Sequence, residues 1–183
     1  MVRRTPLLLA ALGLVAVASC AHGDSFEEGV LHKGDLAIHI GPVPAGWQRV
    51  SIAGADLAYR DQAREGSTMF DVRCGHGSDA PLSVLTEHLI MGTTARDFVT
   101  QDVVPLDHRE ALHTLMRAKL DGVPMQYDIY VMKKDGCLYD LVYVAPPVRF
   151  TAGAADFERF VQGLSIASPP VAVGGAAGGA TDP

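Results

Sequence analysis

One stretch of the chain, residues 111–145, constrains the fold more than any other. Three runs of strand-forming residues, at 111–120, 125–133 and 137–145, are joined by Asp121-Gly122 and Asp135-Gly136. Asp-Gly pairs accept the positive φ angles of tight hairpin turns. From residue 125 to residue 131 the odd positions are all apolar, which is the period of two expected of a strand with a buried face. The stretch therefore predicts a three-stranded antiparallel meander.

The segment before the meander predicts further strands. Short extended runs occupy residues 36–40, 48–52, 57–60 and 67–74, and clusters of proline or glycine separate them. Proline and glycine interrupt regular structure and mark turns, so each run is expected to form a separate short strand.

Two segments have the spacing of helices. Residues 81–91 place leucines on one helical face, with Pro81 in the first turn, Asp79 or Ser78 as the cap and Gly92 past the end. Residues 154–164 place apolar side chains at intervals of three and four residues, which predicts a terminal helix lying on the sheet. The side chains on that face are Phe157, Phe160, Val161 and Leu164.

The order of strands, helix, meander and terminal helix over residues 36–166 resembles the PsbP-like fold group. Three short motifs fit the group: Pro44-Ala45-Gly46-Trp47, Leu120-Asp121-Gly122 and Phe157-x-x-Phe160-Val161. The resemblance implies an α+β fold, an antiparallel β-sheet with a C-terminal three-stranded meander packed by about two helices, as an αβα sandwich. Members of the group are mostly non-enzymatic accessory subunits and small lipoproteins. The resemblance therefore implies an accessory role and carries over no catalytic residue.

The first 19 residues have the composition of a secretory signal. Arg3 and Arg4 precede an apolar run at residues 7–17, which is too short to span the roughly 30 Å hydrocarbon core of a bilayer. Val17-Ala18-Ser19-Cys20 resembles the lipobox of bacterial lipoproteins, which implies cleavage before Cys20 and lipid on its thiol. The alternative is an ordinary signal peptide with a chance cysteine. Because residue 21 is Ala rather than Asp, we expect the outer membrane rather than the inner one.

These features divide the chain into four parts. Residues 1–19 are the predicted signal, 20–35 a flexible tether after lipidated Cys20, 36–166 a single PsbP-like domain, and 167–183 a disordered Gly/Ala/Pro tail. Removal of the signal leaves 13 basic residues against 21 acidic ones, a formal charge of −8 instead of −6. An acidic domain is a poor partner for nucleic acid, so we expect none.

Two cysteines remain once Cys20 is lipidated. Cys74 ends a predicted strand and Cys137 begins another. An oxidising periplasm favours a disulfide between them, and the alternative is two separate buried thiols. Cys74-Gly75-His76 has no second Cys or His pair at ligand spacing, so the sequence predicts neither a metal site nor a cofactor.

Two groups of side chains are candidates for a site. Tyr127, Tyr130, Tyr139 and Tyr143 are concentrated in the meander, where they could form an aromatic binding face or simply cross-strand pairs that stabilise the sheet. The histidines at positions 108 and 113 are five residues apart, which does not match the four-residue spacing of zinc-protease helices, and they are interpreted as solvated.

The sequence contains no motif of a serine hydrolase, a phosphate loop or a dinucleotide site. We therefore expect a non-catalytic accessory or protein-binding lipoprotein of the cell envelope, which faces the periplasm and has a protein partner. The alternative function is that of a periplasmic lipoprotein that binds a small ligand in a cleft between sheet and helix.

Overall fold

The computed structural model describes residues 24–75 and 79–167, and the predicted signal, Cys20 and residues 168–183 lie outside that part of the chain. The elements in chain order are β1 (Ser25–Glu27), β2 (Val30–Lys33), β3 (Leu36–His39), β4 (Trp47–Val50), β5 (Leu57–Asp61), β6 (Gly66–Cys74), α1 (Leu82–Leu89), β7 (Thr93–Leu106), β8 (Arg109–Leu120), β9 (Val123–Lys134), β10 (Cys137–Ala145), α2 (Pro147–Gln162) and β11 (Ser165–Ala167).

The main sheet has seven antiparallel strands in the order β4-β5-β6-β10-β9-β8-β7. Both predicted turns form: Asp121 and Gly122 have positive φ, as do Asp135 and Gly136. Each two-residue turn sets the register of its hairpin, so Leu120 lies opposite Val123 and Lys134 opposite Cys137. The α+β fold class with a C-terminal meander is therefore confirmed.

The meander is longer than predicted because β7 adds a fourth strand to it. The sequence from Thr93 to Leu106 was not predicted to be a strand, since it contains Pro105 and no regular alternation. Pro105 is tolerated because β7 is an edge strand, where a missing N–H breaks no hydrogen bond to a neighbour on its free side.

The two sides of the main sheet are covered differently. The helix α2 and a small sheet with the order β1-β2-β3-β11 lie on one side, where they bury a core that includes Phe70, Tyr139, Phe157 and Phe160. The short helix α1 lies on the other side over β8 and β9, above a smaller core around Ile129. We call these sides the α2 face and the α1 face.

The small sheet corrects the predicted tether. Residues 25–33, expected to be flexible, form β1 and β2, and β2 pairs with β3, which in turn pairs with β11. Leu31 is buried in the α2-face core, and Lys33 Nζ lies 2.7 Å from Asp56 Oδ1. The segment is polar on its outer side, which explains why composition alone indicated a tether.

The helices differ from their predicted bounds. The helix α1 begins after Pro81, and the structure shows no side-chain cap for it, so Asp79 does not act as predicted. The helix α2 begins at Pro147, seven residues before the predicted start, because Pro147 fits the first turn of a helix, where no N–H donor is needed.

Candidate functional site

The four meander tyrosines do not form one exposed face, which corrects that prediction. Tyr127 occupies an odd position of β9 and points to the α1 face, whereas Tyr130 occupies an even position and points to the α2 face. Tyr139 and Tyr143, on β10, also lie on the α2 face. All four are buried, because helices cover both sides of the sheet.

Tyr139 and Tyr143 have the surroundings of core residues. The ring of Tyr139 stacks on Phe70 at 6.5 Å between centroids, and the ring of Tyr143 lies 5.3 Å from Phe150 and 5.7 Å from Phe157. Burial raises the pKa of both tyrosines to about 12. For these two residues the structural alternative, aromatic packing that holds the sheet together, fits better than a binding role.

A cleft with several polar groups opens on the α2 face between β8, β9 and the middle of α2. His113 Nε2 lies 2.7 Å from Asp128 Oδ1, and the His113 ring stacks on Tyr130 with 4.1 Å between centroids. The cleft has a volume of about 400 Å³, and Thr151 and Glu158 of α2 form its opposite wall. Asp128 is buried, and its hydrogen bond to His113 holds the imidazole in one orientation.

The cleft offers hydrogen-bonding groups beside apolar ones, since Leu115, Phe150 and Ala154 also line it. The carboxylate of Asp128, the imidazole of His113 and the amide of Gln126 lie along the strand wall, and the carboxylate of Glu158 lies on the α2 wall. Burial raises the pKa of the Tyr130 hydroxyl, and the negative charges of Asp128 and Glu158 add to this shift, so the hydroxyl keeps its proton. A ligand held there would have to satisfy several polar groups at once.

Sequence reasoning missed the pair of His113 and Asp128, and the interpretation of His113 as a solvated histidine was wrong. The Asp121-Gly122 turn is the sequence feature from which this pair could have been predicted, because the turn fixes the register of β8 and β9. Counting back seven residues from Leu120 and forward seven from Val123 brings His113 opposite Tyr130, with Asp128 two positions along the same strand and face.

The predicted disulfide forms between Cys74 and Cys137. The two residues are direct partners in the register of β6 and β10, with 4.1 Å between their Cα atoms and a sequence separation of 63. Closure of a loop of this length reduces the entropy of the unfolded chain and stabilises the fold by roughly 4 kcal/mol in the chain-entropy account.

Residues 24–75 and 79–167 contain neither a metal-binding cluster nor a membrane-spanning helix. No cluster of three or more His, Cys, Asp or Glu side chains there is placed to hold a metal ion. No helix in the same part of the chain is long and apolar enough to cross a membrane.

The strand β7 forms a long free edge of the main sheet. Its residues 94–103 are all exposed, and they include the apolar side chains Phe98, Val99 and Val103. The first half is irregular, with a positive φ at Ala95 and register shifts before Thr100. From Thr100 to Leu106 the strand pairs with β8 residue by residue. We call residues 100–106 the regular edge.

Comparison with known proteins identifies the fold. No protein-family model matches the sequence, and no curated protein matches it. Among solved structures the chain is similar to LpqN, involved in cell envelope biogenesis of Mycobacterium tuberculosis, with a TM-score of 0.56 and 14% identity over 76% of this chain and 90% of that one. It is also similar to cyanobacterial PsbP (CyanoP) from Synechocystis, with a TM-score of 0.54 and 13% identity over 87% and 99%. The domain therefore has a PsbP-like fold.

Proposed function

We propose that this chain is a non-catalytic accessory protein of the cell envelope, anchored by lipid on Cys20, and that it binds an extended segment of a partner protein along the regular edge of β7. The observation that carries the proposal is the long, exposed free edge with apolar side chains on it. An unpaired edge presents a row of N–H and C=O groups, to which another strand can add.

The two edges of the main sheet support the choice of β7. At the other end of the sheet, β4 has four residues, from Trp47 to Val50, and a short strand offers little to pair with. The strand β7 has 14 residues. Its bulged first half discourages indiscriminate pairing. The regular edge pairs evenly with β8, and because Pro105 has no N–H, residues 100–104 are the part to which a partner strand can add.

The formal charge and the expected location of the chain support a protein partner in the envelope. The predicted mature chain has a formal charge of −8, which disfavours nucleic acid and anionic lipid head groups. The signal and lipobox at residues 1–20 lead us to expect a lipid anchor facing the periplasm. The fold is shared with LpqN, a protein involved in cell envelope biogenesis, which agrees with this address.

The proposal is tested by photo-crosslinking of the full chain in native envelopes. A photoreactive residue replaces Val103 in one chain and Val148 in a control chain. Both valines are exposed, by 60% and 90%, but Val148 lies in the first turn of α2, away from the edge. We expect one defined protein adduct from position 103 and none from position 148. Equal adducts from both positions would contradict a specific edge.

A matched pair of lysine variants sharpens the test. Gln101→Lys adds a positive charge within the regular edge, and Val84→Lys adds the same charge to α1; both side chains are exposed. Edge lysines oppose strand addition. With the probe kept at position 103, we expect the adduct yield to fall several-fold with Gln101→Lys and to stay unchanged with Val84→Lys. An adduct that survives Gln101→Lys would exclude strand addition.

The role of the anchor is tested separately. Cys20→Ala removes the thiol that the lipobox would present for lipidation. We expect this chain to leave the membrane fraction and to give less adduct from position 103, since its partner is expected in the envelope. If Cys20→Ala stays with the membranes, the predicted anchor is wrong, whereas the edge variants still report on partner binding.

A further inference from the structure

An apolar cavity lies on the α1 face, between the end of α1 and the sheet. Its volume is about 180 Å³, and Leu89 of α1, Ile129 of β9 and Val142 of β10 are among its walls. None of its lining side chains is charged. Apolar cavities of roughly 150 Å³ stay dry and accept a benzene-sized molecule, so this one has room for a small apolar ligand.

One polar group stands out in this wall. Tyr127 is 6% exposed and lines the cavity, and its hydroxyl is buried without a hydrogen-bond partner among the described residues. The hydroxyls of Tyr139 and Tyr143 are also unpaired, but their rings pack against other rings in the α2-face core. A buried hydroxyl without a partner is unfavourable, and at Tyr127 a ligand oxygen could supply the partner.

The state of the hydroxyl decides which ligand oxygen fits. Burial raises the pKa of Tyr127, and the negative charge of Asp121 adds to the shift, so the hydroxyl keeps its proton and can donate it. The other hydroxyl in the wall is occupied, because Thr93 Oγ1 donates to Ile90 O at 2.7 Å and accepts from Arg96 Nε at 2.9 Å. Tyr127 is therefore the group left to orient a ligand.

The mouth of the cavity is also apolar. Leu120 lines it and is half-exposed, Val123 is its direct partner across the β8–β9 turn, and Met91 is exposed just after α1. Exposed apolar side chains grouped around a cavity mark a place where an apolar molecule can enter.

We propose that this cavity binds a small, neutral and mostly apolar molecule through one oxygen that accepts a hydrogen bond from Tyr127, which makes a phenol, an alcohol or a ketone of about six carbons the fitting class. A carboxylate is excluded because the wall has no cation and Asp121 is close to Tyr127. This site is independent of the partner proposed for β7, and the two can fail separately.

The probes are phenol, toluene and benzoate. Phenol and toluene have nearly the same shape, but toluene has a methyl group where phenol has the oxygen, and benzoate is charged. Each is titrated into the full chain with Cys20→Ala, and backbone amide shifts are followed by NMR. We expect phenol to shift the amides of Gly92 and Ile129, toluene to bind more weakly, and benzoate not to bind.

Two tyrosine variants separate the site from the rest of the fold. Tyr127→Phe should weaken phenol binding by about 2- to 10-fold, the net worth of one hydrogen bond, and should leave toluene binding unchanged. Tyr143→Phe removes a similarly buried, unpaired hydroxyl from the opposite face and should change neither phenol binding nor toluene binding.

A third variant tests the entrance. Leu120 is half-exposed at the mouth of the cavity, so Leu120→Trp should obstruct entry and weaken the binding of both phenol and toluene.

The outcomes are distinct. Phenol shifts that map to the cavity, with a preference over toluene that disappears only in Tyr127→Phe, support the proposal. Phenol that binds Tyr127→Phe as tightly as the parent chain overturns the role of the hydroxyl. Shifts that map elsewhere, or no binding of phenol at millimolar concentration, overturn the site itself.

Discussion

The two faces of the main sheet are built differently. On the α2 face a 16-residue helix and a second sheet bury 23 side chains of the described residues in one core, and nearly all of the buried aromatic rings lie there. On the α1 face an eight-residue helix buries nine, and Tyr127 is the aromatic residue among them. On the α2 face, α2 and the small sheet pack against a core filled with aromatic rings. On the α1 face, the short helix α1 leaves a cavity and exposed apolar side chains.

The difference suggests that one face mainly stabilises the domain, whereas the other face and its margin carry the proposed binding features. Most of the buried apolar side chains of the described residues lie on the α2 face, and we expect most of the hydrophobic stabilisation to come from there. The α1 face, by contrast, has a smaller core and keeps open space and exposed apolar side chains, as does the neighbouring β7. Both proposed binding features, the regular edge and the Tyr127 cavity, lie on this less filled side or at its margin.

The largest loss of stability is expected when a buried side chain is truncated, and one such variant is compared on each face. Phe157→Ala removes a fully buried ring that contacts Tyr130, Tyr143 and Phe160. It should lower the free energy of unfolding by about 3–5 kcal/mol, and Leu85→Ala on α1 by about 2 kcal/mol. Chemical denaturation with the disulfide intact measures both. Equal losses would mean that the two faces stabilise the fold equally.

A smaller effect is expected from one added methyl group. A Cβ on Gly153, in α2, would lie 2.7 Å from Tyr143 Cζ and still nearer to its oxygen, whereas a Cβ on Gly92, at the cavity, would meet nothing within 4 Å. Alanine favours a helix over glycine, but the clash outweighs this, so Gly153→Ala should destabilise by about 1–3 kcal/mol. Gly92→Ala should stay within about 0.5 kcal/mol.

A double variant checks the cause. Tyr143→Phe removes the oxygen that the new methyl group would meet first, so it should recover part of the stability lost in Gly153→Ala. Thermal unfolding of the two single variants and the double variant gives the coupling. Additive losses would show that the methyl group acts elsewhere.

The smallest effect concerns pH and the α1 face. Asp140 is buried there, its carboxylate contacts Arg73, and burial raises its pKa to about 6. The folded state therefore holds a proton more tightly than the unfolded chain, with a pKa near 3.9. The stability that this proton contributes is complete below about pH 4 and is lost as the pH rises through about 6.

Asp140→Asn has no charge to bury at any pH. We expect it to match the parent chain near pH 4 and to be more stable by about 1–2 kcal/mol above pH 6.5. Denaturant titrations across this pH range measure the difference, with the exposed Asp97→Asn as control. A difference that does not change with pH would mean that Asp140 does not titrate as its burial requires.

Much of the fold could be predicted because its signals are local. The two Asp-Gly turns specify positive φ angles and thereby the pairing of β8, β9 and β10. The strands that were missed have no such signal. The strand β7 is exposed over most of its length, so it lacks the alternation of a half-buried strand, and β1 and β2 are too short and too polar to be distinguished from a tether.

The candidate sites were predicted less well than the fold. The prediction that four tyrosines share one face was wrong. Successive side chains of a strand point to opposite faces, and Tyr127 and Tyr130 are three positions apart on β9, so they lie on opposite faces. The disulfide could be predicted because the expected oxidising compartment and the expected lipidation of Cys20 left two cysteines to pair. The cavity could not be found, since it depends on where the short helix α1 ends above the sheet.

The sequence by itself determined the hairpin turns, the register they impose, the terminal helix and the expected address of the chain. Each of these features depends on residues that are close together in the sequence. Only the tertiary structure decided which side of the sheet received the larger cover, and with it which tyrosines became core and which one lines a cavity. That choice depends on packing between distant segments, whose volumes and contacts no local pattern records.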